Sequence, residues 1–147
     1  MITYEVKVYL NGTKEWFLNG KLHREDGPAI EYSDGTKSWW LNGKLHREDG
    51  PAYEGSSGSK HWYLNGKRHR EDGPAYEGSD GVTKQWWLNG KCHREDGPAY
   101  EGSDGVTKQW WLNGQLHRED GPAVELSSGT KQWWLNGQLH REDGPAV

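Results

Sequence analysis

His46, Arg47, Glu48 and Asp49 put a general base, a permanent cation and two carboxylates in four consecutive residues, and the same four return at 23–26, 69–72, 93–96, 117–120 and 140–143. Such a set could move a proton, and its nitrogen and oxygen donors could hold a metal ion. Repetition argues against both. Active sites are asymmetric constellations drawn from separated segments, whereas six equal copies are what the stacking of one unit on the next requires. The expected role is therefore structural: each His packs on the Trp opposite it, and each Arg pairs with a carboxylate of its own or the adjacent unit. No catalytic residue, metal ligand or cofactor is expected. Glu-Asp-Gly and Ser-Asp-Gly recur, but neither has the ligand alternation of a calcium loop. Cys92 stands where the other copies carry Leu22, Leu45, Arg68, Leu116 and Leu139, and reads as a passive substitution.

The four residues sit inside a longer unit, typified by residues 39–52, Trp-Trp-Leu-Asn-Gly-Lys-Leu-His-Arg-Glu-Asp-Gly-Pro-Ala. His23, His46, His69, His93, His117 and His140 are separated by 23, 23, 24, 24 and 23 residues, and the two longer steps contain Val82 and Val106, single insertions beside a Ser-Asp-Gly turn. Each unit carries two hairpin signals, Asn-Gly after the aromatic pair and Asp-Gly or Ser-Gly before the next. A two-residue Asn42-Gly43 turn pairs Leu41 with Lys44, Trp40 with Leu45 and Trp39 with His46. On the other side, a two-residue Asp34-Gly35 turn pairs Ser33 with Thr36 and sets Ile30 opposite Trp39. The same register sets Tyr53, Tyr76, Tyr100 and Val124 opposite Trp62, Trp86, Trp110 and Trp133, with three-residue turns at the Val insertions.

The first aromatic of each pair, Trp16, Trp39, Trp62, Trp86, Trp110 and Trp133, is invariant, and is assigned with the six histidines to the structural core of the repeats. The core is expected to be mostly indole. The second, Phe17, Trp40, Tyr63, Trp87, Trp111 and Trp134, varies and points to the other face, the candidate surface for a ligand or partner. Arg-Glu-Asp-Gly-Pro ends each second strand, because Pro cannot donate to a ladder. Whether the chain corners or bulges there is left open.

Ile2, Tyr4, Val6, Val8 and Leu10 share one parity, the mark of a half-buried strand, and Asn11-Gly12 supplies a type I′ turn after it. The expected organisation is an N-terminal capping strand and hairpin at 1–15, then six tandem β-hairpin repeats at 16–147 forming one domain. No stretch has a helical period. The fold class is all-β, an elongated antiparallel β-hairpin array stabilised by contacts between neighbours. At the other end, Val147 occupies the position of Ile30 and Val124 without a following strand. Self-association through this C-terminal edge, as a two-fold dimer or a head-to-tail filament, is an expectation.

Eighteen basic and 22 acidic residues are dispersed without a basic run, so nucleic acid is not an expected partner. One cysteine excludes an internal disulfide. The alternating N-terminus is no signal peptide, and no apolar run approaches transmembrane length, so a soluble cytoplasmic protein is expected and membrane association is not.

Tyr53-Glu54-Gly55, Tyr76-Glu77-Gly78 and Tyr100-Glu101-Gly102, each followed by Trp62, Trp86 or Trp110, and Gly-Lys-x-His at 66–69, resemble the MORN repeat family. The resemblance runs from about Trp16 to the C-terminus. Where family members usually carry Gly after the His and then Gly-x-Gly, this chain has Arg followed by Glu-Asp-Gly-Pro-Ala, similar to divergent repeats of phage and large-virus proteins. The resemblance implies stacked hairpins, a scaffolding or protein-binding role without catalysis, and, for a phage-encoded chain, a place in the virion. Paired aromatics on short hairpins are also similar to choline- and glucan-binding cell-wall repeats, which implies the alternative, a carbohydrate or choline-like ligand on the second aromatic row.

Overall fold

The repeated Asn-Gly pairs each close a tight hairpin, because both residues tolerate positive φ. Asn42 has φ 51° and Gly43 77°, and the other five pairs repeat these angles closely, as a type I′ turn requires. In the computed structural model, which describes residues 3–141 and 144–147, such hairpins belong to an all-β array of 23 short antiparallel strands, with no helix among the described residues. Ile2, Glu142 and Asp143, which figure in the expectations above, lie outside the described residues. The chain falls into two compact units, Met1–Arg68 and His69–Val147.

In the first unit the sheet runs in the order Glu5–Val8, Lys14–Leu18, Ile30–Glu31, Lys37–Ser38, Tyr53–Glu54 and Lys60–His61. In the second it runs Tyr76–Glu77, Lys84–Gln85, Tyr100–Glu101, Lys108–Gln109, Val124–Glu125 and Lys131–Gln132. One face of the first sheet carries a ladder of alternating charge, Lys14, Glu31, Lys37, Glu54 and Lys60. The second continues the pattern with Glu77, Lys84, Glu101, Lys108, Glu125 and Lys131. Directly opposed unlike charges stabilise antiparallel pairs, and like charges there would oppose them.

The hairpin register is as expected on the Asn-Gly side: Trp40 pairs with Leu45 and Leu41 with Lys44, and the His46 N–H donates to the Trp39 carbonyl. On the Asp-Gly side the expectation is wrong by one residue. Ile30 faces Ser38, and Tyr53, Tyr76, Tyr100 and Val124 face His61, Gln85, Gln109 and Gln132. The loop is longer than a two-residue turn. Tyr32 N–H donates to the Thr36 carbonyl and Gly35 N–H to that of Tyr32, so Ser33, Asp34 and Gly35 form a three-residue loop with Gly35 at φ 94°. The Asp34 carboxylate accepts the Thr36 N–H at 2.9 Å within this loop, and Ser56, Ser57 and Gly58 form a loop of the same length between Gly55 and Ser59. The Val82 and Val106 loops have four residues by the same pairing, Gly78 with Thr83 and Gly102 with Thr107. Asn11-Gly12 is likewise a three-residue loop, pairing Tyr9 with Thr13.

Between the two registers the return strand is interrupted. Trp39 accepts from His46 at its carbonyl and donates its N–H to Ala52, so residues 47–51 are looped out of a strand that pairs before and after them. The chain neither corners nor makes a single-residue bulge at Arg-Glu-Asp-Gly-Pro. It makes a five-residue excursion and rejoins the same ladder. Trp110, with His117 and Ala123, repeats the arrangement in the second unit.

Where the excursion rejoins, Ala29, Ala52, Ala75, Ala99 and Ala123 have no exposed surface. The buried apolar positions among the described residues are these alanines with Ile30 and Val124, joined by the polar Ser38, Thr36 and His23, whereas the indoles of both rows are half-buried. The expected indole core is thus corrected, because the excursions cover Trp16, Trp39, Trp86, Trp110 and Trp133 with charged side chains that themselves reach solvent. The N-terminal strand also differs from expectation. Glu5–Val8 is exposed throughout, Val6 and Val8 included, and so is Leu10 beyond it, since among the described residues no second layer covers this parity.

Gly43→Ala should destabilise the first unit by about 1–2 kcal/mol, as read by the urea midpoint. A Cβ there would meet Lys21 no closer than 3.7 Å, so the cost is that of an L-residue at positive φ and not of a clash.

Candidate functional site

Each excursion is closed by its own arginine. Arg47 donates from Nε to Asp49 at 3.1 Å and from Nη1 to the Pro51 carbonyl and Glu54, both at 3.1 Å. Its guanidinium lies 3.8 Å from the Trp39 ring centroid, within cation–π range. Arg24 on Trp16, Arg94 on Trp86, Arg118 on Trp110 and Arg141 on Trp133 repeat the stack at 3.8–4.0 Å. The arginine, and not the expected histidine, covers the indole. The Asp-Gly-Pro glycine leaves room for this fold-back: a Cβ on Gly121 would stand 2.9 Å from Arg118 Cζ, so the guanidinium would have to shift on its ring.

The histidine serves the neighbouring repeat. His23 Nδ1 accepts the Asn42 N–H at 2.9 Å, and His46, His69, His93 and His117 do the same for Asn65, Asn89, Asn113 and Asn136. An imidazole that accepts at Nδ1 carries its proton on Nε2, the neutral tautomer. Nε2 then faces the Glu two residues on at 3.6–3.7 Å. His140, last of the row, is exposed. The base of the four-residue set is thus engaged at Nδ1 and the cation through its guanidinium, both in bonds within the chain. No group of metal-binding side chains occurs among the described residues.

The carboxylates point outward. Glu48 and Asp49 are 85% and 88% exposed, and Glu119 and Asp120 84% and 90%. Between successive excursions lie open grooves. One of about 700 Å³ is lined by residues 24–28 with Trp39, Leu41 and His46 through Asp49. Its counterpart in the second unit, about 670 Å³, is lined by 94–98 with Trp110, Leu112 and His117 through Asp120.

The second aromatic row forms a different surface. Trp87 and Trp111, with Tyr100 and Cys92, line a groove of about 360 Å³, and their Nε1 atoms donate to Gln85 and Gln109 at 3.0 and 2.9 Å. Phe17, Trp40, Tyr63 and Trp134 hold the equivalent hairpin positions, opposite Leu22, Leu45, Arg68 and Leu139. Burial pushes the Cys92 thiol up to about 12, so it stays protonated and unreactive at neutral pH. At the C-terminus, Ala146 accepts the Trp133 N–H and Val147 is exposed.

Two side-chain types set the acid response. Burial, with a smaller contribution from Arg68, lowers His61 to about 4. Hydrogen bonds from Thr107 and Val106 lower Asp104 to about 2, and those from Thr36 and from Thr83 and Val82 lower Asp34 and Asp80. A depressed His stabilises the fold above its unfolded value of about 6.5, and that stabilisation is lost as pH falls toward 4. A depressed Asp does the same from about 4 down to 2. Urea midpoints should thus fall in two steps, the first removed by His61→Gln and the second reduced by Asp104→Asn. A single step unchanged by either variant would refute the assignment.

The sequence brought out the His, Arg and carboxylate row and both aromatic rows. It did not bring out Tyr4, whose hydroxyl accepts the Glu25 N–H at 3.1 Å, because that residue lies outside the repeats. The alanine core had a signal, the constant Ala after Pro, that went unread. In comparison with known proteins, no family model and no curated protein matches the chain.

Proposed function

We propose that the chain is a non-enzymatic binding module of MORN-like hairpin repeats, and that its contact surface for a protein partner is the row of looped-out Arg-Glu-Asp-Gly-Pro segments. One observation carries this reading: in the excursions at 47–51 and 118–122 the arginine is spent on internal bonds, while the two carboxylates stand almost fully exposed beside an open groove. An outward acidic row of that kind favours a basic partner. The test is a nitrogen-15 amide titration of the full chain with a lysine octapeptide at low and high salt. Salt-sensitive shifts concentrated at 47–51 and 118–122 are expected. No shift there would overturn the reading.

A second reading, glycan or choline-like recognition, is favoured by the aromatic groove at Trp87 and Trp111, whose neighbouring Gln85 and Gln109 offer polar groups to hydroxyls. Cellohexaose and choline chloride in the same titration would then move residues 85–92 and 109–114. In that case the excursions would stay still.

A further inference from the structure

The first groove of the row is already filled, by the chain itself. Tyr4 lies across the ladder beside Leu18, since Glu5 pairs with Phe17. Its ring stacks on His23 at 6.4 Å between centroids and 29° between planes, an offset stack. Its hydroxyl accepts the backbone N–H of Glu25. The contact also shows in exposure: the His23 side chain is 7% exposed against 12–14% for His46, His69, His93 and His117, and Glu25 is 57% exposed against 84–85% for their glutamates.

Leu18, His23 and Glu25 have exact counterparts by repeat position in Leu41, His46 and Glu48 and in Leu112, His117 and Glu119, and both later triplets line open grooves. The N–H groups of Glu48 and Glu119 donate to no protein acceptor among the described residues. We infer that these two grooves are receptor sites for a tyrosine side chain of a basic, extended segment of a partner protein, with Tyr4 the internal occupant of the first. The inference rests on the proposed function above and specifies its partner. The phenol would stack on His46 or His117 and accept from Glu48 or Glu119. The basic character follows from the walls, since Glu25, Asp26, Glu48 and Asp49 line one groove and Glu95, Asp96, Glu119 and Asp120 the other. Tyr4 of a second copy is not available as occupant, because it is engaged in its own first groove.

The probes are two capped tripeptides, lysine-tyrosine-lysine and lysine-phenylalanine-lysine, titrated into the full nitrogen-15-labelled chain. The tyrosine peptide should move the Glu48 and Glu119 amides and leave Glu25 still, and the phenylalanine peptide should bind about five- to tenfold more weakly for want of the hydroxyl acceptor. In Tyr4→Ala the Glu25 amide should join the responding set. His46→Asn keeps an acceptor for the Asn65 N–H and removes the stacking ring, so it should abolish the Glu48 response and spare that of Glu119. Equal binding of the two peptides at the excursions, or a silent Glu25 in folded Tyr4→Ala, would overturn the tyrosine inference and leave the acidic-row reading standing. Silence of the whole excursion row toward both peptides and the lysine octapeptide would overturn both.

Discussion

Trp110→Ala should destabilise the second unit by about 3 kcal/mol or more, and Trp111→Ala by clearly less, about 1–2 kcal/mol. Both indoles are half-buried, so exposure alone does not separate them. Trp110 supports the Arg118 guanidinium at 3.8 Å, and that guanidinium in turn holds Asp120 and the Pro122 carbonyl at 3.2 and 3.0 Å. Removing the indole leaves a charged group with one face uncovered and an excursion without its closure. Trp111 loses a groove wall and one bond to Gln109. Arg118→Ala should cost about 2–3 kcal/mol, from two charge-assisted hydrogen bonds and the stack. The double variant should fall short of the sum of the singles by about 1 kcal/mol, because the two residues form one assembly. Arg118→Lys should rescue little, since an ammonium cannot lie flat on the ring while serving a carboxylate and a carbonyl in one plane. Urea midpoints read by far-ultraviolet circular dichroism measure all five. Strict additivity would show that the stack holds nothing together.

Ala99→Leu should be at least as damaging, about 3 kcal/mol or more, because it adds three carbons at a position with no exposed surface. The backbone cannot yield to make room. Ala99 N–H donates to the Gln109 carbonyl at 2.8 Å and its own carbonyl accepts the Trp86 N–H at 2.8 Å, so the residue is fixed to a strand on each side. Ala99→Gly should cost far less, since it removes one buried methyl and leaves both ladder bonds in place. The damage should also be local at low denaturant: amide exchange should accelerate at Trp86, Ala99 and Gln109 before it does so at Ala123, as expected where each repeat depends on its nearest neighbours. A Leu variant as stable as the parent would mean that the alanine row is not the packing limit.

The Trp110 expectation was legible in the sequence, whereas the Ala99 one rests on the folded structure. The six-fold arrangement, the absence of helix, the type I′ turns and the pairing of Trp40 with Leu45 were legible, as were the residues of the four-membered set. Reading the histidine as the cover for Trp39 failed. So did reading Ile30 as its cross-strand partner, and reading indole as the enclosed core.

The division has a physical cause. What the sequence by itself determined is what neighbouring residues decide: Asn-Gly selects its turn through the sterics of positive φ, and a tight two-residue turn then fixes the pairing of the few residues on either side. Periodicity likewise determined the number of units. Only the tertiary structure decided between pairings that the local sequence permits equally. Pairing of Tyr32 with Thr36, and of Gly55 with Ser59, gives these loops three residues and moves every cross-strand partner beyond them by one. The backbone of Trp39, by bonding both His46 and Ala52, expels residues 47–51 from the ladder. Once expelled, that segment turns its arginine back over the indole and its carboxylates toward solvent, and it leaves beside them the grooves of which Tyr4 fills the first.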